Sequence, residues 1–394
     1  MTAKNKRLLS LDALRGFDMF WIISGEGIFH GLANVVMSRH SLIRDPDNWT
    51  IATSENLSFL EELLVRISNQ LHHTPWNGFT FYDMIFPLFI FISGVSMPFS
   101  YDRYLSGAQG ADKNAKRKLY LALVKRTLIL ILLGMVVNGL FKWQAYEETR
   151  FASVLGRIGL ATFFAAIIYL NSSLKMQFVW FAMILTGYAM VMLWIPVPGY
   201  GSGVLTPEGN LSAYIDRLYL PGKLHRTVYD PEGLLSTIPA IASAQLGIFA
   251  GQFLKGQLSL FRSLSKTQGL LIAGLVLLAA GLLWSLSFPI NKNMWTSSFV
   301  LFAGGWSMLL LALFYYVIDV AGFAKYSMPF VWIGTNSILI YIGAHFFLNS
   351  PFISQFLPAG TIAGWQEPVL WTLILILQLL LLRLLYYKKW FLKI

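Results

Sequence analysis

The sequence predicts an all-α polytopic membrane protein, a single bundle of about ten transmembrane helices with both termini cytoplasmic. Three observations carry that expectation. The 394 residues are 56% hydrophobic and only 12% charged, about half the charge density of a soluble domain. Apolar runs of roughly twenty residues recur from end to end, each sufficient to cross a hydrocarbon core of about 30 Å. The basic residues fall in alternate connecting segments, as the positive-inside rule requires.

The runs lie near 12–36, 79–101, 119–141, 153–171, 176–195, 233–254, 268–288, 295–319, 328–349 and 366–387. Lys4, Lys6 and Arg7 mark the first cytoplasmic segment, and Arg103, Lys113, Lys116, Arg117, Lys118, Lys125 and Arg126 the next. Lys255, Arg262 and Lys266, then Lys388, Lys389 and Lys393, mark the others. The net charge of +11 therefore reports topology, not a nucleic-acid partner. The opposite segments, 38–78 and 196–232, carry Asp45, Asp47, Glu55, Glu61, Glu62, Glu208, Asp216, Asp230 and Glu232, and are expected to cap the exoplasmic face.

Asp12, Arg15 and Asp18 interrupt the first run and no small-residue cleavage site follows, so a retained span is expected and not a signal peptide. With no internal repeat or low-complexity tract, residues 1–394 read as one membrane domain. Leu57, Leu60, Leu63, Leu64 and Ile67 recur at helical spacing, predicting an amphipathic helix over 53–72 on the outer surface. Residues 106–118, with Gly107 and Gly110, predict a cytoplasmic loop, and Pro196, Pro198, Gly199, Gly201, Gly203 and Pro207 predict turns. The chain contains no cysteine, which excludes disulfides, thiolate metal sites and a cysteine nucleophile.

Ionisable residues inside a membrane are costly, about 2.5–3.5 kcal/mol each or more at the bilayer centre, so they line cavities or form pairs. Arg15, Asp18 and Glu26 lie on the first span, Asp83 opens the second, Arg157 enters the fourth and His345 sits in the ninth. Eleven residues separate Arg15 from Glu26, which puts both on one face of a regular helix; the alternative for Arg15 is an ordinary helix-end pair with Asp12 or Asp18. His72 and His73 precede Trp76-Asn77-Gly78, and either imidazole suits a general base, with a carboxylate to fix its tautomer. Asp83 is the nearest partner, although Thr80-Phe81-Tyr82-Asp83 also matches a capping box. No third ligand stands at metal spacing from the two histidines, so no metal is expected.

Arg150 and Arg157, seven residues apart, share a helix face and suit phosphate or carboxylate recognition as well as interfacial snorkelling. Asp230 and Glu232 sit at the mouth of the sixth span, where acids serve a ligand or a helix N-terminus. Asn291 and Lys292 precede Trp295, a combination that suits a sugar and equally an interfacial aromatic belt. There is no GxSxG elbow, P-loop or dinucleotide fingerprint.

These residues carry a resemblance. Leu11-Asp12-Ala13-Leu14-Arg15-Gly16, the His73 to Asp83 run continuing through Phe86-Pro87, and Val154-Leu155-Gly156-Arg157 are similar to motifs of the heparan-α-glucosaminide N-acetyltransferase family. So are Pro196-Val197-Pro198-Gly199, Tyr214-Ile215-Asp216-Arg217-Leu218, Tyr229-Asp230-Pro231-Glu232-Gly233, Pro289-Ile290-Asn291-Lys292-Asn293 and Gly334-Thr335-Asn336-Ser337-Ile338-Leu339, all in family order. The family consists of lysosomal membrane enzymes and bacterial relatives within the wider transmembrane acyltransferases.

The resemblance implies an acetyl-CoA-dependent acetyltransferase that acts on an amino-sugar amine across the membrane, here a bacterial inner membrane. It implies His73 as the catalytic base or acetyl carrier and Asp83 as its partner. Glu26, Trp76, Asn77, Asp230, Glu232, Asn291 and Lys292 are expected to bind the acceptor. Arg15, Lys125, Arg126, Arg150, Arg157, Asn336 and His345 are expected to contact acetyl-CoA, with Arg15, Lys125 and Arg126 on its phosphates. Glu26 stands where the animal enzymes carry an asparagine, and the large lumenal segment that precedes their spans is expected to be missing here. A homodimer is the expected assembly, and an amino-sugar transporter is the competing class, since a polar-lined ten-span bundle also suits transport.

Overall fold

A computed structural model describes residues 8–45, 49–51, 57–105, 113–142, 145–258, 264–347 and 364–392. The expectations on Lys4, Lys6, Arg7, Asp47, Glu55, Gly107, Gly110, Arg262 and Lys393 lie outside the described residues. In chain order the helices are α1 Leu9–His40, α2 Phe59–Gln70, α3 Phe81–Leu105, α4 Lys113–Val137, α5 Val154–Asn171, α6 Leu174–Trp194 and α7 Leu211–Tyr219. There follow α8 Thr237–Leu254, α9 Lys266–Trp284, α10 Ser297–Val320, α11 Met328–Thr335, α12 Ser337–Phe346 and α13 Gln366–Tyr387.

Among the described residues nine of these helices are long and apolar enough to cross a membrane, and the protein is an integral membrane protein of all-α class. The expected span at 328–349 is a discontinuous helix, α11 followed by α12, broken at Asn336. The break is a hydrogen-bonding event. Asn336 accepts from the backbone N–H of Leu392 at 3.0 Å and donates to the carbonyl of Trp390 at 3.1 Å, which holds the C-terminal segment against the interruption.

Polar caps set several helix starts. Ser153 and Ser173 cap α5 and α6, Asn210 caps α7, and Ser265 with Gln268 forms a capping box on α9. The amphipathic helix appears as α2, opened by a capping box in which Ser58 and Glu61 each satisfy the other's backbone. Hydrogen bonds from Ser58 and His40 hold the Glu61 carboxyl down at about 2. The basic cluster at 113–118 is helical rather than part of a loop, because α4 already begins at Lys113. The turns expected after Pro196 are present, with positive φ at Gly199, Gly201 and Gly203, but α7 follows them.

The chain forms two compact units. The first comprises Met1–Pro75, Phe79–Ile85 and Leu313–Lys393, and the second Trp76–Gly78 and Phe86–Ala312. In the first, α1 packs on α11, α2 and α13. Its crossing with α11 is close because both helices present glycine: a Cβ on Gly16 would lie 1.7 Å from the carbonyl oxygen of Phe330, and one on Gly334 would lie 1.9 Å from that of Asp12. Such contacts suit a membrane, where dispersion and close backbone approach replace the hydrophobic drive. In the second unit α4, α5, α8 and α6 pack in succession. Large apolar side chains on α4, α6 and α9 are exposed, as lipid-facing spans require.

A π-helical turn, Trp21–Gly25, interrupts α1 just before Glu26. It shifts the phase of the helix by roughly a quarter of a turn, since one residue is in effect inserted. The regular register that would put Arg15 and Glu26 on one face is therefore broken. Arg15 pairs instead with Asp12 at 3.5 Å, the helix-end pair expected as its alternative.

Candidate active site

In the first unit, the segment that links α2 to α3 lays His73 over the start of α3. Its Nδ1 lies 2.8 Å from Oδ1 of Asp83. The Asp83 side chain is 1% exposed and that of His73 is 48% exposed. A buried carboxylate needs several donors, and Oδ2 has them: the backbone N–H groups of Thr74 and Thr80 at 3.3 and 3.1 Å, and their hydroxyls at 3.0 and 3.1 Å. The Thr80 hydroxyl also lies 2.7 Å from the carbonyl of His72 and gives its one hydrogen to either acceptor. Asp83 thus caps α3 and holds His73 at once, one oxygen for each task. An ionised Asp83 accepts from Nδ1–H, which fixes the tautomer with the lone pair of the neutral ring on Nε2.

The neighbouring His72 is engaged differently. An Arg44 guanidinium nitrogen lies 2.7 Å from its Nε2, and since Arg only donates, that nitrogen is committed as an acceptor. Burial, Arg44 and His73 lower the His72 imidazole to about 4. Arg44 also donates to Asn34 at 2.8 Å, and Asn34 donates to Glu367 at 2.7 Å. The ring of His72 stacks on that of His30 at 4.1 Å, and Nδ1 of His30 lies 2.7 Å from the hydroxyl of Ser68.

Tyr82 lays its ring against His73, 4.8 Å between centroids, and its hydroxyl donates to the Glu26 carboxylate. The other Glu26 oxygen is 3.7 Å from Nε2 of His30. Sequence reasoning singled out Glu26, His73 and Asp83 but missed Tyr82, His30 and Arg44. The signals present were the position of Tyr82 beside Asp83 and of His30 one helical turn after Glu26. Also in this unit, Asn336 is tied to the C-terminal segment as described, and His345 is exposed at the end of α12, edge-on to Phe346 at 5.0 Å.

The second unit gathers another set. Arg150 donates from Nε and a terminal nitrogen to the two Asp230 oxygens at 2.8 and 2.6 Å, and from the same terminal nitrogen to Glu232. Burial alone would raise the Asp230 carboxyl, but these bonds and the Arg150 charge leave it below its ordinary value. The guanidinium of Arg157 is buried, donates to Ser236 and to the carbonyl of Gly233, and lies 5.0 Å over the ring of Trp295. Burial pushes Asp216 up to about 7, against the pull of its hydrogen bond from Leu234 and of Arg157. Trp76 donates its indole N–H to the Leu205 carbonyl at 2.8 Å and meets Tyr229 edge-on at 5.0 Å. Asn291 donates to Asn77 at 3.0 Å, and Lys292 beside it is partly exposed.

The structure therefore brings together His73, Asp83 and Glu26 in one group, Arg150, Asp230 and Glu232 in a second, and Asn77 with Asn291 in a third. The residues expected on acetyl-CoA fall in both units. Arg15 is in the first unit, whereas Lys125, Arg126, Arg150 and Arg157 are in the second. Within the second, Lys125 and Arg126 lie at the middle of α4 beside Thr127, which packs on Gly159 of α5, two residues from Arg157. Among the described residues no group of three or more potential ligands has the arrangement of a metal site.

Two known proteins resemble the chain over most of its length. It is 30% identical to the Heparan-alpha-glucosaminide N-acetyltransferase of Mus musculus over 82% of its own residues. It is 29% identical to the Heparan-alpha-glucosaminide N-acetyltransferase of Homo sapiens over 70%. Both are homologues of the chain. The matches cover 56% and 49% of those proteins, so the chain spans about half the length of its relatives. No protein-family model matches it.

Proposed function

We propose that the protein is a transmembrane acetyltransferase that carries an acetyl group from acetyl-CoA, supplied on the cytoplasmic side, to the amine of an amino sugar on the exoplasmic side. The observation that supports it best is the pair of half-exposed His73 and buried, multiply bonded Asp83, in a chain homologous to N-acetyltransferases. Asp83 fixes the tautomer and offsets the positive charge that forms on the ring, so that Nε2 is both oriented and basic.

In direct transfer the amine nitrogen attacks the thioester carbonyl, Nε2 of His73 takes its proton, and the CoA thiolate leaves and recovers that proton from the imidazolium. In the covalent route Nε2 itself carries the acetyl group between the two substrates, which predicts ping-pong kinetics. In the second unit Trp76, Asn77, Asn291 and Lys292 offer an aromatic plane and hydrogen-bonding groups of the kind that suit a sugar, and in the first Glu26 offers a carboxylate of the kind that suits an amine. Asp230 and Glu232 act on the acceptor side by fixing their turn through Arg150. Lys125, Arg126 and Arg15 attract the CoA phosphates, with Arg157, Asn336 and His345 as further donor-side groups. The setting is a bacterial inner membrane with both termini in the cytoplasm.

The absence of cysteine makes a direct test simple. A thiol reagent added to purified protein, acetyl-CoA and glucosamine reports only released CoA, and its signal should rise with the sugar and vanish in His73→Ala. Thiol release that no amino sugar stimulates would overturn the proposal.

A further inference from the structure

We propose that Glu26 accepts the first of the two protons that an amino-sugar ammonium loses on acetylation, with Tyr82 and His30 as the residues that position its carboxylate. The inference rests on the acetyltransferase reading and adds a step to it. An alkyl amine of this kind has a conjugate-acid pKa of about 8, so at neutral pH it arrives mostly as an ammonium with no lone pair. Acetylation removes two of its protons. A neutral His73 imidazole, its Nδ1–H held by Asp83, takes up only one of them. A second acceptor is required, and Tyr82 links Glu26 to His73, its ring against the imidazole and its hydroxyl donating to the carboxylate.

The surroundings of Glu26 suit that work. Its side chain is 35% exposed, so an ammonium can reach it and a proton can leave it, whereas His30 behind it is 13% exposed. Tyr82 from α3 donates to one carboxylate oxygen. Nε2 of His30, one turn along α1, stands at the other and has no hydrogen-bond partner among the described residues. His72 and Arg44 stand behind His30, and Asp18 and Tyr341 lie near the Tyr82 hydroxyl. The π-turn ends at Gly25 and so sets the direction in which Glu26 leaves the helix.

The step balances. An N–H bond of the ammonium breaks and an O–H bond forms on Glu26, giving the free amine and a neutral carboxyl group. Glu26 then returns that proton to water. The amine forms its C–N bond as the C–S bond of the thioester breaks, and the second proton passes through His73 to the CoA thiolate. Each turnover releases one proton to solvent.

The test is the pH dependence of Glu26→Gln relative to wild type with acetyl-CoA and glucosamine. Without Glu26 the enzyme must wait for the free amine, whose share falls about 15-fold from pH 8.5 to pH 6.5 for a pKa near 7.7. The ratio of variant to wild-type kcat/KM should therefore fall about tenfold or more over that range, and Tyr82→Phe should move it in the same direction by less. Dividing by wild type removes the pH dependence that the two enzymes share. A ratio that is low but flat across pH marks a purely structural role and overturns the inference while the acetyltransferase reading stands. Wild-type protein that acetylates no amino sugar overturns both.

Discussion

Asp83 divides its two oxygens between a helix cap and a histidine, and that division is what a mutation can separate. Asp83→Asn keeps an acceptor for the threonine donors but loses the charge that orients and stabilises a protonated His73. Turnover should fall by about 10²-fold or more, with acetyl-CoA binding retained, as kcat and equilibrium binding measured side by side will show. Asp216 offers a second residue-scale prediction. Its folded value of about 7 lies above the ordinary carboxyl value of 3.8, so the folded protein holds a proton that the unfolded chain releases. The sign follows: this contribution to stability is full below about pH 4, and it is lost as pH rises to 7. Relative to wild type, Asp216→Asn should gain thermal stability at pH 8 and lose most of that advantage by pH 5, read from unfolding in detergent. That one of two histidines could meet Asp83 was legible because only about ten residues separate them, and the resemblance, not the spacing, pointed to His73. The His30–His72 stack and the Arg44–Asn34–Glu367 chain join residues far apart in sequence, and no local pattern encodes them.

Helices follow apolar length, and nine of the ten expected runs became continuous spans. The tenth did not, because the break at Asn336 is stabilised by backbone groups of Trp390 and Leu392 some fifty residues on, and hydropathy does not register such a partner. The π-turn in α1 was equally invisible, since its five residues read as ordinary helix. Close crossings are testable at this scale. Gly334→Ala places a methyl where a carbonyl oxygen stands, so α1 and α11 must separate and stability should fall by about 1–3 kcal/mol or more. Gly187→Ala, on α6 with nothing within 4 Å of the added atom, should be neutral within about 0.5 kcal/mol. Equal unfolding temperatures for the two variants would refute the close-crossing account.

At the scale of the whole molecule, class and membrane residence came from composition, because 56% hydrophobic content spread evenly leaves no other solution. The same evenness concealed the division into two units, which depends on which helices pack together rather than on what they contain. Charge carried the topological expectation, and a chain without cysteine lets it be checked directly. A membrane-impermeant maleimide should label Ser202→Cys, on an exposed turn, from outside intact cells, and should reach Lys116→Cys only after the cells are opened. The reverse pattern would invert the proposed orientation and with it the side from which acetyl-CoA enters. The most direct measurement of the central claim is the mass of the sugar product after purified wild type, His73→Ala and Asp83→Asn are each given acetyl-CoA and glucosamine. The account predicts N-acetylglucosamine from wild type, little from Asp83→Asn and none from His73→Ala. Equal product from wild type and His73→Ala would contradict it.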